Sequence, residues 1–266
     1  MTLRPGANGP KVVALQKQLL KRGFSPGAID GDFGPGTEAA VLAFQKSESL
    51  LADGAVGPRT AAALAKRKLP QPPQAAGQFT PAIVAQMFPH TPLGNIARNL
   101  PYVLGALAKA QLADRLMTLM ALGTIRAETE SFEPVAEGRS RYNTSPNGHA
   151  FDLYDNRRDL GNRGKPDGER FCGRGYVQLT GRANYTKYSK VLGLGGKLVA
   201  APELACDPAI AGRLLAAFLK DKERAVKECL VAEDYAGARR LVNGGRHGIE
   251  RFTEAFVIGA RLVPES

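Results

Sequence analysis

The sequence predicts a mainly α protein of two unequal domains: a small three-helix module and a larger, mostly helical domain with short strands. Three observations support this prediction. Apolar residues recur at helical spacing along most of the 266 residues, an internal repeat lies near the N-terminus, and an uncharged proline-rich segment follows that repeat. With 44% hydrophobic and 23% charged residues, the composition excludes wholesale disorder.

The proline-rich segment, residues 69–78, is predicted to be an extended linker because it has no helical or strand periodicity. It separates a domain over 1–68 from a domain over 79–266. The first carries a net charge of +5 and the remainder of the chain +6, so positive charge is denser in the smaller domain.

The small domain contains two copies of one turn sequence. The run DGDFGPGT at 30–37 recurs as DGAVGPRT at 53–60. Asp-Gly predicts a turn, Phe33 or Val56 is expected to point inward, and Pro35 and Pro58 suit the first turns of helices. The predicted helices cover 10–21, 36–47 and 58–66.

The whole pattern of this domain resembles the peptidoglycan-binding domain type 1 family. The matching residues are GxxVxxLQxxL from Gly9 to Leu19, GxxDGxFGxxT with AVxxFQ over 27–45, and a second DGxVGxxT. The resemblance covers nearly all of 3–66 and implies a three-helix module that anchors wall-lytic enzymes to murein. Within it we expect Asp30, Phe33 and Asp53 to serve wall binding, although turn geometry alone explains the repeated glycines.

The larger domain is predicted from its periodicity to be mostly helical, with a glycine- and arginine-rich region over 133–176 that is irregular or forms short strands. Irregular stretches of this length inside a compact domain are usually functional. The predicted helices cover 96–110, 112–130, 181–192, 209–230, 235–242 and 248–262.

Glu128 is the candidate general acid. It ends an apolar helix, and apolar neighbours together with the helix C-terminus are expected to raise the pKa of its carboxyl group, as an acid at neutral pH requires. Glu130 lies about 200° further around a helix, so we prefer Glu128 over Glu130 and Glu133. A solvated glutamate at a helix end is the alternative.

Glu137, nine residues further on, is the candidate second carboxylate. Glycoside hydrolysis needs one carboxyl group to protonate the leaving oxygen and another to activate water or attack. Arg139 and Arg141 are expected to keep Glu137 ionised, as a base requires. A surface glutamate in a basic loop is the alternative.

The segment 173–185 supplies polar groups for a cleft. Gly173 and Gly175 predict a close approach of the backbone to another group. The alternation over 176–180 predicts a short strand that presents Tyr176, Gln178 and Thr180 on one face, where they suit sugar hydroxyls or a nucleophilic water. No strand-loop-helix frame surrounds the glycines, so a phosphate-binding loop is excluded.

Four stretches of the larger domain resemble glycoside hydrolase family 19, the lysozyme-superfamily group of plant-type chitinases and phage endolysins. They are AET with Glu128, YDNRRDLGN over 154–162, GRGYVQLTGRANY over 173–185 and VNGGRHGIERF over 242–252. The resemblance covers roughly 95–262. It implies an inverting mechanism with Glu128 as the acid and Glu137 as the base.

The same resemblance assigns roles to further residues. Thr180 matches the position that holds the attacking water, Arg251 matches an arginine that orders the carboxylates, and substrate contacts are implied for Gln178, Asn184 and Asn243. One position departs from the chitinases, which often have a glutamate where this chain has His247. The departure favours the phage-lysozyme-like branch over chitin hydrolysis.

These patterns together predict a modular phage endolysin that cleaves the glycan strands of peptidoglycan as a muramidase. A chitinase, a catalytically silent wall-binding protein and a nucleic-acid binder are the alternatives. A nucleic-acid binder rests only on the net charge of +11, which suits an anionic envelope equally well. We expect no nucleic-acid partner, because no binding motif or basic–aromatic interleaving occurs.

The remaining expectations are absences. No HExxH or CxxC pattern occurs, so we expect no metal and no cofactor. Three cysteines rule out a disulfide framework. No apolar stretch reaches the length of a membrane span, and the N-terminus lacks the apolar core of a signal peptide. We therefore expect a monomer without stable membrane association, made in the host cytoplasm and released to the periplasmic wall through a pore.

Overall fold

The computed structural model describes residues 2–65, 76–243, 245 and 248–264. By their contacts, these residues group into two compact units. The first contains 2–65 together with Arg224–Asp234, and the second contains the other described residues. Most of the predicted linker and His247 lie outside the described residues. The boundaries at 1–68 and 79–266 stay a prediction.

The first unit contains the three predicted helices. These are α1 (Pro10–Lys21), α2 (Pro35–Ser47) and α3 (Pro58–Leu64), each with its proline in the first helical turn, where a missing backbone N–H costs no intrahelical bond. The inward orientation of Phe33 and Val56 is confirmed, since both are buried in one apolar core with the helices.

A buried glutamine holds the first turn of the repeat. Gln16 on α1 donates from Nε2 to Asp30 Oδ1 (2.9 Å) and Thr37 Oγ1 (3.1 Å), and its Oε1 accepts from the Gly31 N–H at 3.0 Å. One amide side chain therefore closes the Asp-Gly turn and fixes the start of α2.

The second copy repeats this network. Gln45 on α2 donates to Asp53 Oδ1 (2.7 Å) and Thr60 Oγ1 (3.2 Å), and accepts from the Gly54 N–H at 3.0 Å. The sequence repeat is thus a repeated hydrogen-bond unit, in which each aspartate shapes its own turn.

The second unit is mainly α, as predicted. The α-helices from residue 76 onward are α4 (Pro81–Met87), α5 (Leu93–Lys109), α6 (Arg115–Glu128), α7 (Asp152–Asp155), α8 (Asp167–Arg170), α9 (Arg182–Val191), α10 (Lys197–Ala200), α11 (Pro208–Lys220), α12 (Glu223–Val231), α13 (Tyr235–Asn243) and α14 (Ile249–Leu262). Most of α12 belongs to the residues grouped with the first unit. In the second unit, α5 packs against α11 and α6 packs against α14, while α4 was not predicted from the sequence.

The helix α6 is the centre of this unit. Asp114 caps its N-terminus by accepting from the Met117 N–H, and every residue from 117 to 127 is buried. Gly123 lets α14 approach closely, because a Cβ there would lie 3.0 Å from the Phe252 ring. The burial of α6 fixes where its last residue, Glu128, emerges.

Two predicted elements are wrong. The helix expected over 209–230 is divided into α11 and α12 at Asp221, whose carboxylate accepts from the Tyr188 hydroxyl and pairs with Lys187. The strand expected over 176–180 is a tight turn closed by a bridge between Arg174 and Leu179. The β structure of the described residues consists of isolated bridges.

The region 133–176 is largely irregular, as expected, but it also contains α7, α8 and a 3₁₀ helix over Arg158–Leu160. The three cysteines, all among the described residues, form no disulfide. Among the helices the structure describes, none is both long and apolar enough to cross a bilayer.

The glutamine networks give a stability prediction. Gln16→Ala leaves the buried Gly31 N–H without its acceptor and removes the hydrogen bond that the Thr37 hydroxyl accepts, so the free energy of unfolding of the first unit should fall by about 1–3 kcal/mol. Native-state hydrogen exchange of the α1 amides in the full-length protein measures this change. Gln18→Ala, an exposed change on the same helix, is the control and should stay within about 0.5 kcal/mol. Equal protection in both variants would contradict the assigned role.

Candidate active site

The second unit has a cleft of about 280 Å³ at the end of α6. It brings together five of the residues predicted for the site: Glu128, Gln178, Thr180, Asn184 and Asn243. Apolar side chains form the rest of its wall, which comprises Leu160, Val177, Leu179, Phe218 and Val242. The cleft therefore combines a carboxyl group with amides and a hydroxyl on a partly apolar surface, a composition typical of small-molecule binding sites.

An ion pair with Arg239 holds Glu128 in place. The guanidinium of Arg239 on α13 is fully buried and donates from Nη2 to Glu128 Oε1 at 2.5 Å, while the glutamate side chain is 13% exposed. Arg239 was not predicted as a site residue from the sequence. Arg239 lies three and four residues before Val242 and Asn243, so all three share one face of a helix. This helical spacing in the sequence could have identified Arg239 as a neighbour of Asn243.

Phe132, the aromatic residue nearest to Glu128 in sequence, lies in an aromatic cluster. Its ring centroid is 4.9 Å from that of Phe88 and 6.3 Å from that of Tyr176. Glu128 faces a buried cation on one side and the cleft on the other.

The turn over 175–178 determines how the polar groups face the cleft. Gln178 has a φ of 48° and donates from Nε2 to the carbonyls of Val135 and Gly175, at 3.0 Å each. Thr180 donates its hydroxyl proton to Gln178 O at 2.8 Å, and Asn184 donates to Thr180 O at 2.8 Å. The lone pairs of the Thr180 hydroxyl oxygen remain to accept a hydrogen bond from another group.

Glu137 is not among the residues that line the cleft, but it lies beside Gln178, which does. A Cβ on Gly173 would lie 2.8 Å from Gln178 Oε1 and 3.3 Å from Glu137 Oε1. The close backbone approach predicted for Gly173 and Gly175 is confirmed. At Gly175, a Cβ would lie 2.6 Å from the carbonyl of Ala205.

Backbone and neutral side chains orient the Glu137 carboxylate. Its Oε1 accepts from the Gly173 N–H at 2.5 Å, and its Oε2 accepts from Asn143 at 3.3 Å and from the Tyr154 hydroxyl at 3.4 Å. Burial and the nearby Glu137 charge raise the pKa of Tyr154 to about 12, so this hydroxyl stays a donor at neutral pH.

The arginines expected to hold Glu137 ionised do not form its hydrogen bonds. Arg141 donates instead to the hydroxyl of Tyr142, at 2.8 Å, and lies over the ring of that residue. Both Arg139 and Arg141 are exposed. Their influence on Glu137 was overestimated, because the number of arginines in a loop does not determine where their long side chains point.

Arg251 lies in a second carboxylate network centred on Glu130. Its Nη1 donates to Glu130 Oε2 at 3.0 Å, and Arg126 donates to Glu130 Oε1 at 2.5 Å. The hydrogen bond from Arg126, with a smaller contribution from Arg251, holds the pKa of Glu130 below its ordinary value. Glu130, two residues beyond the last residue of α6, is therefore paired as an anion with two arginines.

The remaining predicted residues lie elsewhere. Tyr176 is fully buried beside Phe132, so it does not share a face with Gln178 and Thr180 as expected. Phe33 is 2% exposed in the first unit. Asp30 and Asp53 accept from the two glutamines described above, and a hydrogen bond from Gln16 lowers the pKa of Asp30.

No group of three or more histidine, cysteine, aspartate or glutamate side chains within the described ranges is arranged to hold a metal ion.

Residues 8–64 match the family described as a peptidoglycan binding domain. Curated relatives include the N-acetylmuramoyl-L-alanine amidase CwlL of Bacillus licheniformis, 43% identical over 74 residues that are 26% of this chain and 21% of that enzyme. The spore cortex-lytic enzyme of Bacillus cereus is 41% identical over 64 residues, 24% of this chain and 25% of the relative. The chain thus matches only about a fifth to a quarter of the length of these relatives.

Two solved structures resemble the chain distantly. Chitinase C from Streptomyces griseus HUT6037 is 18% identical with a TM-score of 0.49, over 70% of this chain and 76% of that one. An endolysin of Burkholderia AP3 phage is 19% identical with a TM-score of 0.27, over 98% of this chain and 100% of that one. At this level of similarity neither structure bears on the chemistry of the cleft.

The position of Gly173 gives a prediction about the site. Gly173→Ala should push the Gln178 side chain away, break its 3.0 Å bond to Val135 O and shift the Glu137 carboxylate, while thermal stability changes little because Gln178 is flexible. Crystal structures of the variant and of Gly138→Ala measure this. Gly138 has no atom within 4 Å of an added Cβ, so the control should leave both side chains in place. If the Gln178 and Glu137 side chains keep their positions in Gly173→Ala, the absence of a side chain at residue 173 is not needed to place them.

Proposed function

We propose that this protein is a cell-wall hydrolase that cleaves the glycan strands of peptidoglycan by an inverting, two-carboxylate mechanism of the muramidase type. The observation that carries the proposal is the cleft in which Glu128, paired with Arg239, opens onto Thr180, Asn184 and the neighbourhood of Glu137. The match of residues 8–64 to a peptidoglycan binding domain supports peptidoglycan as the polymer.

In this mechanism Glu128 is the general acid. Arg239 occupies one carboxyl oxygen, which leaves the other oxygen to face the cleft and deliver a proton to the glycosidic oxygen. The rigid end of the buried helix α6 fixes the direction of that proton. Little reorganisation is then needed when the bond to the leaving sugar breaks.

Glu137 acts as the base through a water molecule. The Gly173 N–H and Asn143 orient the carboxylate, which takes a proton from the water as the latter attacks the anomeric carbon. Thr180, whose own proton is donated to Gln178 O, accepts the second hydrogen of that water. A water that donates both hydrogens directs its lone pair at the carbon, and the sugar leaves with inverted configuration.

The first unit supplies binding to the wall. Asp30 and Asp53 contribute by shaping the two turns that they close, and Phe33 contributes by supporting them from the core. Contact with the polymer then falls to the exposed surfaces of these turns and helices. Chitin is the alternative polymer, because the groups that line the cleft suit N-acetylglucosamine, which chitin and peptidoglycan both contain.

Loss of the acid is the most direct mutational test. Glu128→Gln keeps the size of the side chain and an oxygen that accepts from Arg239, but it removes the transferable proton. Hydrolysis of purified murein should fall by about 10²–10⁴-fold or more. Release of soluble fragments from sacculi measures the rate, with chitin assayed in parallel. Glu133→Gln, a change at a half-exposed glutamate outside the cleft lining, is the control and should retain activity. A folded Glu128→Gln protein with the wild-type rate would refute the assignment.

The stereochemistry distinguishes the role of Glu137. If it activates water, the two carboxyl groups should lie about 6.5–9.5 Å apart, and the new reducing end should first form with inverted configuration. An NMR time course of the anomeric proton during hydrolysis of soluble murein oligosaccharides reports this before mutarotation. Initial release of the retained anomer would make Glu137 a nucleophile or remove it from the mechanism.

A further inference from the structure

A second cavity of the same unit has no role in the mechanism above. Its volume is about 400 Å³, and it is lined by Asn156, Arg158, Asn162 and Arg163. Arg158 begins the 3₁₀ helix whose last residue, Leu160, lines the glycan cleft. One short segment of chain therefore contributes to the lining of both cavities.

The cavity has two cationic side chains without compensating anions. The neighbouring Arg157 is paired with Asp159 through two hydrogen bonds of 2.8 and 2.6 Å. In contrast, the guanidinium groups of Arg158 and Arg163 have no hydrogen-bond or ion-pair partner among the residues that the structure describes. Both are exposed and both border the same space, so the cavity is suited to a negatively charged group.

The backbone that carries these arginines is held firmly. Asn162 is 4% exposed, donates to Tyr154 O at 2.8 Å and accepts from the Arg182 N–H at 2.9 Å. The Arg163 N–H donates to Asp167 at 2.9 Å, and Asp167 itself is paired with Arg182. Since Arg182 lies two residues after Thr180, which lines the cleft, these bonds connect the backbone of the cavity to that of the cleft.

We propose that this cavity binds the carboxylates of the stem peptides that muramic acid carries, a proposal that rests on the proposed function. Planar guanidinium groups match carboxylates through paired hydrogen bonds. The side-chain amide of Asn156 adds donor and acceptor groups suited to a peptide backbone. A peptide attached to a sugar in the cleft would pass the segment around Leu160 to reach Arg158 and Arg163.

This assignment gives the enzyme a means of distinguishing its polymer. The amides and hydroxyl of the cleft recognise acetylated sugars, which chitin and murein share. Chitin carries no carboxylates, so only murein gains binding energy from the two arginines. The cavity thereby selects peptide-bearing glycan without touching the reacting atoms.

The kinetic test compares two forms of one substrate. Murein glycan strands with intact stem peptides, and the same strands stripped of peptides by an amidase, are hydrolysed by the full-length protein and by Arg158→Gln/Arg163→Gln. We expect the wild type to prefer the peptide-bearing strands and the double variant to reduce that preference, measured as a ratio of kcat/KM, by about tenfold. Lys190→Gln/Lys197→Gln removes the same charge at exposed sites outside the cavity and should leave the ratio unchanged.

A binding measurement decides the proposal independently of hydrolysis. Calorimetric titration of the full-length proteins with the free stem tetrapeptide should give a Kd about tenfold weaker in the arginine double variant. The tetrapeptide with amidated carboxylates should bind both proteins equally weakly, and inorganic phosphate shows whether any anion suffices. The first unit contributes equally to all variants, so the differences report on the cavity.

The outcomes separate the two proposals. If the arginine variant keeps both the wild-type preference and the wild-type Kd, or if phosphate binds as tightly as the tetrapeptide, the stem-peptide site is refuted. If the wild type hydrolyses neither strand, the proposed function fails, while the titration still supports or refutes the carboxylate site.

Discussion

The ion pair between Glu128 and Arg239 is the interaction on which the site depends. Glu128 ends a helix whose preceding eleven residues are all buried, so its backbone position is fixed by packing. Arg239 is fully buried on α13, 111 residues further along the chain. Desolvating a guanidinium is costly unless an anion and hydrogen bonds compensate it. The pair therefore links α6 to α13, and with it the carboxyl group to the Asn243 side of the cleft.

The other half of the site depends on backbone rather than on charge. Gly173 leaves room for its own N–H to reach Glu137 and for Gln178 to fold back onto the carbonyls of Val135 and Gly175. A tight turn then presents Thr180 to the cleft. Because each of these contacts uses a backbone N–H or carbonyl group at a close approach, Gly173 is a sensitive position of this half of the site.

Helix periodicity and proline positions were sufficient to predict most helices, and short motifs were sufficient to identify five side chains that share one cleft. Long-range contacts were not predictable. The alternation from Tyr176 to Thr180 fits a strand, but the bridge between Arg174 and Leu179 closes it into a turn with a left-handed Gln178. Arg239 was missed because an arginine on a helix is usually solvated, and only the tertiary structure supplies its partner.

Identifying the bond that is cleaved is the most direct test of the proposed glycosidase mechanism. An amide bond is the alternative to exclude, because one of the partial relatives is an amidase. Purified sacculi digested with the full-length protein can be assayed for new reducing sugar ends and for new free amino groups, followed by mass spectrometry of the fragments. A glycosidase should give reducing ends that accumulate with lysis and an unchanged number of free amino groups. Lysis accompanied by new amino groups without reducing ends would show that a peptide or amide bond is cleaved, and would contradict the assignment of Glu128 and Glu137 as glycosidase carboxylates.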